Sequence, residues 1–415
     1  MTVEAPIKIG EPVLRWSARA HSIAEIESEL ARIWSGQDLT ATIDGEPGRH
    51  IPARTSVMNL VVVARRPELA ERCAATMQLL TGRHPSRTIV INSADPDGPS
   101  WFNARVEAHC IVPREDAPET CAETIHVTCG GEAGLHLAAI ATPLIVHDLP
   151  VTVWWPGEPP LMTRSARDLL DGADRLIVDG SSWTGDGLAR LREMARLVET
   201  SDLAVSDFAL ARQSRWREAI ASIFDDQDFL PYLRSLRRIA VTYSTHDETG
   251  APGSTNLVKP VYHVGWLASR LGLSVHKPLA PVTGHGHGHG HGAARAARSV
   301  MSRGVAATLS DGRGEVAVVV RPVASQTPAG TTLRVELLAE RRGSELRADV
   351  TAEAETVHVR VWQDGVEAME RHFRAPRRTE VELLSEAIES GRRDPVAVGA
   401  LRSAAAIIGP AGSGA

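Results

Sequence analysis

Residues 149–183 read LPVTVWWPGEPPLMTRSARDLLDGADRLIVDGSSW, two short apolar runs separated by a proline-rich turn and a polar segment. The first run predicts a strand over 150–155, the second a strand over 174–179, and residues 164–170 predict a short helix between them. Strands with consecutive apolar residues, alternating with helices, are typical of a parallel sheet covered on both faces. This stretch therefore predicts an α/β fold.

The same alternation extends toward the N-terminus. A capping box at residues 22–25 opens an amphipathic helix that ends near Trp34, and a proline at position 67 begins another helix that runs to about Leu80. Further strands are predicted over 57–64, 87–92, 102–112 and 123–129, and a further helix over 134–146. We predict an N-terminal layered α/β domain over residues 1–200.

The second half of the chain has a different pattern. Two helices are predicted over 206–224 and 256–271, with a strand over 238–244 between them. From residue 315 onward, short alternating strands and an Asp364-Gly365 turn indicate an antiparallel meander, followed by two closing helices. We predict a C-terminal domain of helices plus an antiparallel β-meander over 201–405, with a flexible Gly-His loop at 284–292 and a disordered tail at 406–415. The overall class is mixed α/β.

Composition excludes several classes of protein. The formal net charge of −6, from 45 Lys and Arg against 51 Asp and Glu, provides no basic surface for nucleic acid or an anionic membrane. The longest apolar stretch, 135–146, is shorter than the ~20 residues of a spanning helix, and residues 1–10 contain no signal-peptide core. We expect a soluble, cytoplasmic protein whose own oligomeric state the sequence leaves open.

Four cysteines in a chain of 415 residues do not indicate a disulfide scaffold, and no C-x-x-C pair is present for a thioredoxin-like or zinc-ribbon site. They are Cys73, Cys110, Cys121 and Cys129. Reduced thiols are the expectation. Three of the cysteines lie within twenty residues of one another among histidines, which permits a redox switch or a soft metal site. The alternation of Ile125, Val127 and Cys129 favours a buried thiol in a strand, and redox control stays open.

Residues 284–292 alternate glycine and histidine. Four histidines, His285, His287, His289 and His291, could chelate nickel, zinc or copper. Glycine spacing fixes no coordination geometry, so an unstructured connector is the favoured interpretation. We predict no cofactor and no metal site.

Motifs of catalysis are missing from the sequence: it contains no P-loop, no nucleophile elbow and no H-E-x-x-H. The Gly130-Gly131 turn could direct N–H groups at an anion, but without a nearby basic residue a tight turn is favoured. Asp179, Ser181 and Ser182 follow a strand, where α/β proteins gather ligands, although Asp179 could also cap a helix. These residues support an alternative hypothesis, an α/β sugar-phosphate-binding enzyme or sensor.

Trp216 lies in a helix whose apolar face continues through Ile220 and Ile223, which favours core packing over ligand stacking. Arg212, Arg215 and Arg217 would then form a basic rim around it. Arginine and tryptophan are over-represented at protein interfaces, so this segment is a candidate contact surface.

Six segments, in order along the chain, together resemble the glucose-6-phosphate dehydrogenase assembly protein OpcA family. They are HPSRTIVIN (84–92), LPVTVWWPGEPP (149–160), DRLIVDGSS (174–182), DFALARQSRWR (207–217), YHVGWLASRLGL (262–273) and EVELLSEAIESGRRDPVAVGALRSA (380–404). The sequence departs from the family at Leu210, where relatives usually carry tryptophan, and the first eighty residues match only in general pattern.

The resemblance implies a non-enzymatic protein that associates with glucose-6-phosphate dehydrogenase, promotes its active oligomer and raises its activity at the entry to the oxidative pentose phosphate pathway. It also makes the residues of these segments candidates for the contact with the dehydrogenase. The candidates are Trp154, Trp155, Pro156, Gly157, Pro159, Pro160, Asp179, Ser181, Ser182, Asp207, Arg212, Arg215, Trp216 and Arg217.

Overall fold

The computed structural model describes residues 10–35, 53–94, 96–112, 114, 119–246, 256–282, 304–390 and 393–410. The predicted Gly-His loop at 284–292 and the last five residues of the predicted tail lie outside these ranges. The first residues of that predicted tail are helical, because the last helix runs to Ile408.

Ten helices and seventeen strands are defined within the described residues. The helices are α1 (Ile23–Ser35), α2 (Pro67–Leu80), α3 (Leu137–Ala141), α4 (Arg164–Leu170), α5 (Leu188–Thr200), α6 (Phe208–Ala211), α7 (Ser214–Ile223), α8 (Val258–Leu271), α9 (Glu380–Glu389) and α10 (Pro395–Ile408). The first nine strands are β1 (Val13–Ala20), β2 (Ala53–Arg54), β3 (Met58–Ala64), β4 (Ser86–Ser93), β5 (Trp101–Ile111), β6 (Thr120–Gly130), β7 (Val151–Trp155), β8 (Arg175–Val178) and β9 (Ala204–Asp207). The others are β10 (Leu236–His246), β11 (Ser274–Pro281), β12 (Val305–Ser310), β13 (Glu315–Pro328), β14 (Thr332–Arg341), β15 (Ser344–Glu353), β16 (Thr356–Gln363) and β17 (Val366–Arg374).

The chain forms two compact units, and each is discontinuous in sequence. Unit one contains Met1–Asp179, Asp202–Ser206 and Thr379–Arg392, and unit two contains Gly180–Ser201, Asp207–Arg378 and Arg393–Ala415. The predicted break at residue 200 therefore passes through a region where the chain crosses between units more than once. In unit one, α9 packs on α2; in unit two, α5 packs on α10.

Unit one is built on a nine-stranded sheet in the order β1-β5-β6-β4-β3-β7-β8-β9, with β2 paired to β6. The strands from β6 through β4, β3 and β7 to β8 run parallel, and β5 and β1 are antiparallel at one edge. Every residue of β3 and β7 is buried, as expected for strands covered on both faces. The predicted α/β class is confirmed.

Unit two is built on an eight-stranded sheet in the order β11-β12-β13-β10-β14-β15-β16-β17. All neighbouring pairs are antiparallel except β10 and β13, which are parallel. Strands β15 and β16 alternate between buried aliphatic and more exposed residues, so one sheet face forms the core. Helices α7 and α8 pack on this sheet. The predicted meander with helices is present.

Helices α8 and α10 cross in close contact within unit two. A methyl group added to Gly265 of α8 would lie 2.6 Å from the carbonyl oxygen of Ala400 and 2.9 Å from the Ala404 side chain. Only a glycine permits this backbone separation, because any Cβ would overlap α10. The sequence segments around residues 262–273 and 395–404 therefore contact each other through small residues.

Two predicted helices are interrupted. The sequence predicts one helix over 206–224, but residues 206 and 207 end strand β9, and α6 and α7 follow. Helix α6 begins after Asp207 because the Asp207 side chain caps it by accepting the Ala209 N–H at 2.8 Å. The helix predicted over 134–146 is split into α3 and two 3₁₀ turns, and Pro143 lies in the second of these turns.

The expectation of four reduced thiols differs from the structure, which contains a Cys110–Cys121 disulfide. The two cysteines are directly opposite in the antiparallel pairing of β5 with β6, a register that sequence spacing does not reveal. Cys73 and Cys129 are free and fully buried. Burial raises the pKa of Cys73 to about 12 and that of Cys129 to about 11, so both thiols are unreactive.

None of the helices within the described ranges has both the length and the apolar content needed to cross a bilayer.

We predict that a thiol reagent such as Ellman's reagent will label no cysteine of the native protein at pH 8, because both free thiols are buried and protonated. Unfolding in guanidinium chloride without reductant should release two reactive thiols, and four after reduction. Four thiols in the unreduced, unfolded protein would contradict the disulfide.

Candidate functional site

The carboxylate of Asp207 is the centre of a buried polar cluster in unit two, here called the Asp207 cluster and formed by Asp207, Gly180, Asn256 and Tyr262. The Asp207 carboxylate accepts hydrogen bonds from the Gly180 N–H at 2.9 Å and the Tyr262 hydroxyl at 3.0 Å. With the cap on α6, three segments of unit two converge on one side chain. The side chain of Asp207 is 6 % exposed.

Asn256 connects the same segments from the other side. Its amide nitrogen donates to the carbonyl oxygens of Gly180 at 2.8 Å and Trp183 at 3.3 Å, and its amide oxygen accepts from the Val258 N–H at 3.0 Å. That last hydrogen bond satisfies a donor in the first turn of α8. Asn256 thus joins the start of α8 to the 180–183 segment.

The close approach of these segments needs small residues. A Cβ on Gly180 would lie 2.7 Å from Val258, and one on Gly187 would lie 2.5 Å from the same side chain. Larger residues at either position would separate the 180–187 segment from α8. The Asp-Gly-Ser-Ser motif is therefore explained by packing as well as by polar chemistry.

Tyr262 is buried in the cluster with 1 % of its surface exposed. Burial, followed by the neighbouring Asp207 carboxylate, raises the pKa of the Tyr262 phenol well above its usual value of about 10. The phenol therefore remains a neutral hydrogen-bond donor, and its hydrogen bond helps to stabilise the buried carboxylate.

An accessible rim borders the Asp207 cluster. The Arg212 guanidinium donates to the Ser181 hydroxyl at 3.0 Å, and both side chains are half-buried. Ser182 and Arg215 are exposed, and Arg215 forms a 2.6 Å ion pair with Glu218 one helical turn away. These four interface candidates of unit two form the rim, and Arg217 is half-buried as well.

Trp216 is buried, and the half-buried Arg217 is held against the backbone of the preceding helix. Trp216 is 9 % exposed and packs edge to face against His263, with ring centroids 5.4 Å apart. The Arg217 guanidinium donates to the Leu210 carbonyl at 2.7 Å, and burial lowers the Arg217 pKa. This confirms core packing over ligand stacking for Trp216 and places Leu210 in the interior.

His263 of α8 is completely buried, and neither ring nitrogen has a hydrogen-bond partner within the part of the chain that the structure describes. Burial, followed by the charges of Arg217 and Lys259, lowers the His263 pKa to about 3. The imidazole is therefore neutral at physiological pH, and its ring packs edge to face against Trp216.

Trp154 and Trp155 lie in β7 of unit one, 0 % and 3 % exposed. The turn that follows is only partly accessible: Pro156 and Pro159 are buried, whereas Gly157 and Pro160 are half-buried. The two indoles are thus part of the unit-one core and form no surface of this structure. Asp179 follows β8 and is half-buried.

The strand order of unit one reverses direction between β3 and β7, the place where doubly wound sheets usually bind ligands. The turn that follows β3 reads Arg65-Arg66-Pro67 and contains no glycine. Glycines in this turn are what allow a pyrophosphate to approach the backbone in dinucleotide-binding folds. The first turn of this crevice therefore lacks the residues of a dinucleotide site.

The Gly130-Gly131 turn, an alternative anion site in sequence terms, is filled by its own neighbours. A Cβ on Gly130 would lie 2.2 Å from the Trp101 indole nitrogen, and one on Gly131 would lie 2.6 Å from the Gly98 carbonyl oxygen. The Glu132 N–H donates to the Ser100 hydroxyl at 3.1 Å. These contacts support a tight packed turn and leave no cradle for a phosphate.

Three residues of unit two were missed by sequence reasoning: Asn256, Tyr262 and His263. Asn256 lies two residues before α8, a position that favours capping residues, so its role could have been anticipated. Tyr262 and His263 belong to a helix with apolar residues on most faces. Only the fold shows that the Tyr262 hydroxyl meets Asp207 and that the His263 ring nitrogens have no hydrogen-bond partner among the described residues.

Two family profiles match the chain in order. The profile described as the glucose-6-phosphate dehydrogenase subunit N-terminal domain matches residues 78–196, and the one described as its C-terminal domain matches residues 203–400. Both profiles belong to OpcA.

A Synechocystis sp. protein that carries the provisional name OxPP cycle protein OpcA is 26 % identical to this chain over 193 residues. The match covers 46 % of this chain and 38 % of that protein, so the chain aligns with well under half of the relative.

Two solved structures of oxidoreductases are similar over most of the chain at low identity. A mutant of the 3-ketoreductase KijD10 from Actinomadura kijaniata is 14 % identical, with 84 % of this chain and 95 % of that chain covered and a TM-score of 0.44. An NAD binding oxidoreductase from Klebsiella pneumoniae is 9 % identical, with 85 % and 96 % covered and a TM-score of 0.45. Likeness at this level carries no conclusion about activity.

We predict that Asp207→Ala will lower the free energy of unfolding by about 3 kcal/mol, because it removes a helix cap and leaves buried donors unpaired. Tyr262→Phe removes one of these hydrogen bonds and should cost about 1 kcal/mol. Guanidinium chloride unfolding followed by tryptophan fluorescence measures both.

The matched control is Asp225→Ala, which removes an exposed aspartate of the same unit and should change stability by less than about 0.5 kcal/mol. Equal unfolding midpoints for Asp207→Ala and the wild type would contradict the structural role of the cluster.

The stability of the folded protein in acid should depend on His263. The His263 pKa is about 3 in the folded protein and about 6.5 in the unfolded chain, so only the unfolded chain takes up this proton as the pH falls. The contribution of His263 to stability is therefore fully present above pH 6.5 and is lost progressively toward pH 3, at up to about 1.4 kcal/mol per pH unit.

His263→Leu should unfold with a weaker dependence on pH between 6.5 and 4.5 than the wild type, as measured by denaturant unfolding at several pH values. Parallel pH profiles for the two proteins would show that this imidazole is protonated in the folded state.

Proposed function

Because the chain belongs to the OpcA family, we propose that it is a non-catalytic assembly factor and allosteric activator of glucose-6-phosphate dehydrogenase. In this role it promotes the active oligomer of the dehydrogenase in the cytoplasm. The active oligomer in turn raises NADPH production in the oxidative pentose phosphate pathway. The ordered match of both domain profiles over residues 78–196 and 203–400 is the observation that carries the proposal.

Features of the two units support a binding role over a catalytic one. The crevice of unit one has no glycine in its first turn, and the Gly130-Gly131 turn is packed against its neighbours. The polar Asp207 cluster is buried and satisfied by its own hydrogen bonds, so it offers no accessible acid, base or nucleophile.

We place the contact with the dehydrogenase on the accessible rim of unit two, at Ser181, Ser182, Arg212 and Arg215. These residues belong to segments that carry the family resemblance, and their side chains are half-buried or exposed. Arginine side chains above a well-packed protein interior are frequent anchors of protein interfaces. Within unit two, Asp207 and Trp216 are buried and support the segments that carry the rim.

Activation requires a difference in affinity. An activator shifts the dehydrogenase toward its active oligomer only if it binds that form more tightly than the inactive form. A coupling of about 1 to 3 kcal/mol, which corresponds to about 5- to 150-fold, is typical of such effects. The hydrogen bonds of the Asp207 cluster hold the backbone segments that carry the rim. A surface whose backbone is fixed before binding loses less conformational entropy when the partner binds.

The direct test mixes the purified chain with the dehydrogenase of the same organism and measures molecular mass and enzyme kinetics together. We expect a complex of higher mass and a higher kcat/KM for glucose 6-phosphate. If mass and kinetics of the dehydrogenase are both unchanged at micromolar concentrations of the chain, the proposal is wrong.

The location of the contact is tested by Arg215→Glu, which reverses one exposed rim charge. We expect it to weaken the complex by roughly tenfold, because like-charge contacts at an interface are costly. Arg196→Glu makes the same charge change at an exposed position of α5 in the same unit and is the matched control. Equal affinities of the two variants would exclude the rim while leaving the activator proposal itself intact.

A further inference from the structure

Unit two contains a groove of about 860 Å³ that is separate from the Asp207 cluster and its rim. Four segments form it: the 3₁₀ turn Leu230–Ser235 leading into β10, the C-terminal end of α8, the turn between β12 and β13, and the end of β14. The volume lies within the range of about 300 to 1,000 Å³ that is usual for small-molecule sites.

Each of these four segments contributes one arginine to the groove, namely Arg234, Arg270, Arg313 and Arg341. Within the described ranges, none of the four guanidinium groups lies within 4.0 Å of a carboxylate. Other arginines of the same sheet are paired: Arg238 with Glu336, and Arg334 with Asp349 at 2.5 Å. The groove therefore concentrates unpaired positive charge.

The single acidic residue of the groove, Asp311, offsets only part of the charge of these arginines. The Asp311 carboxylate accepts the backbone N–H groups of Arg313 at 2.7 Å and Gly314 at 2.8 Å, which closes the β12–β13 turn. With four arginines and one aspartate, the lining carries a formal charge of +3, whereas the whole chain carries −6. Like charges that line one groove repel one another, and an anion bound between them reduces this repulsion.

The remaining lining is largely apolar. Leu230, at 51 % exposure, and the half-buried residues Pro231, Leu233, Leu271 and Leu273 line the same groove. An inorganic anion alone would leave this surface uncovered. A ligand with both an anionic group and an apolar or aromatic body would match the two kinds of lining at once.

We propose that this groove binds a small organic polyanion of nucleoside-diphosphate chemistry, with its phosphates held by the arginines and its body against the leucines. The planar guanidinium fork binds phosphate oxygens in pairs, which suits arginine to this role. Because the four arginines come from four separate segments around one cavity, a compact, multiply charged group satisfies them better than carboxylates spaced along a peptide.

The test is isothermal titration calorimetry of the full chain at low ionic strength, with ADP and inorganic pyrophosphate as separate probes. We expect saturable binding of ADP, weakened at least tenfold in the double variant Arg313→Gln/Arg341→Gln. Leu230→Ser should weaken ADP binding while leaving pyrophosphate binding within twofold. Circular dichroism melting checks that each variant is folded.

The matched control is Arg402→Gln, an exposed arginine of α10 outside the groove, which should bind ADP within twofold of the wild type. An equal loss in this control would show non-specific charge attraction and overturn the proposal. The proposal would also be overturned if the wild-type protein showed no saturable heat with ADP at millimolar concentration. Binding of an acidic, leucine-containing peptide without binding of ADP would assign the groove to a peptide instead and would equally overturn it.

Discussion

The buried carboxylate of Asp207 is the interaction on which the arrangement of unit two depends. It accepts hydrogen bonds from its own helix start, from Gly180 and from Tyr262, which are 27 and 55 positions away in the sequence. Charge-assisted hydrogen bonds of this kind contribute about 1.5 to 3 kcal/mol each, and leaving their donors unpaired in the interior would cost similar amounts. A single side chain thus fixes the register of three segments.

This geometry explains why several distinct sequence segments occur together. The 180–182 segment, the segment that begins at Asp207 and the segment that begins at Tyr262 are far apart in the chain but share one hydrogen-bond network. Their residue types follow from that network: glycine where α8 approaches closely, aspartate as the common acceptor, and tyrosine as a buried donor. The outward-facing serines and arginines beside the network form the surface to which we assign partner binding.

The two units satisfy different physical constraints. In unit one, parallel strands such as β3 and β7 are buried on both faces, and the two tryptophans of β7 fill that core. In unit two, the sheet has one core-forming face, and the segments of the groove bring together four arginines, which have no carboxylate partner among the described residues, and partly exposed leucines. Burial makes the first arrangement stable and inert, whereas the unpaired charge of the second makes it suited to binding an anion.

The sequence by itself determined the mixed α/β class, the strands and helices with strong periodicity, and the family, because each depends on local pattern or on the order of short segments. Only the tertiary structure decided which residues meet. The pairing of Cys110 with Cys121 follows from strand register, the interior position of Trp154 and Trp155 follows from their central strand, and the four groove arginines come from segments up to 107 positions apart, from 234 to 341. Periodicity reports whether a residue faces a core, but not which distant residue it contacts there, because long-range contacts depend on how separate elements pack.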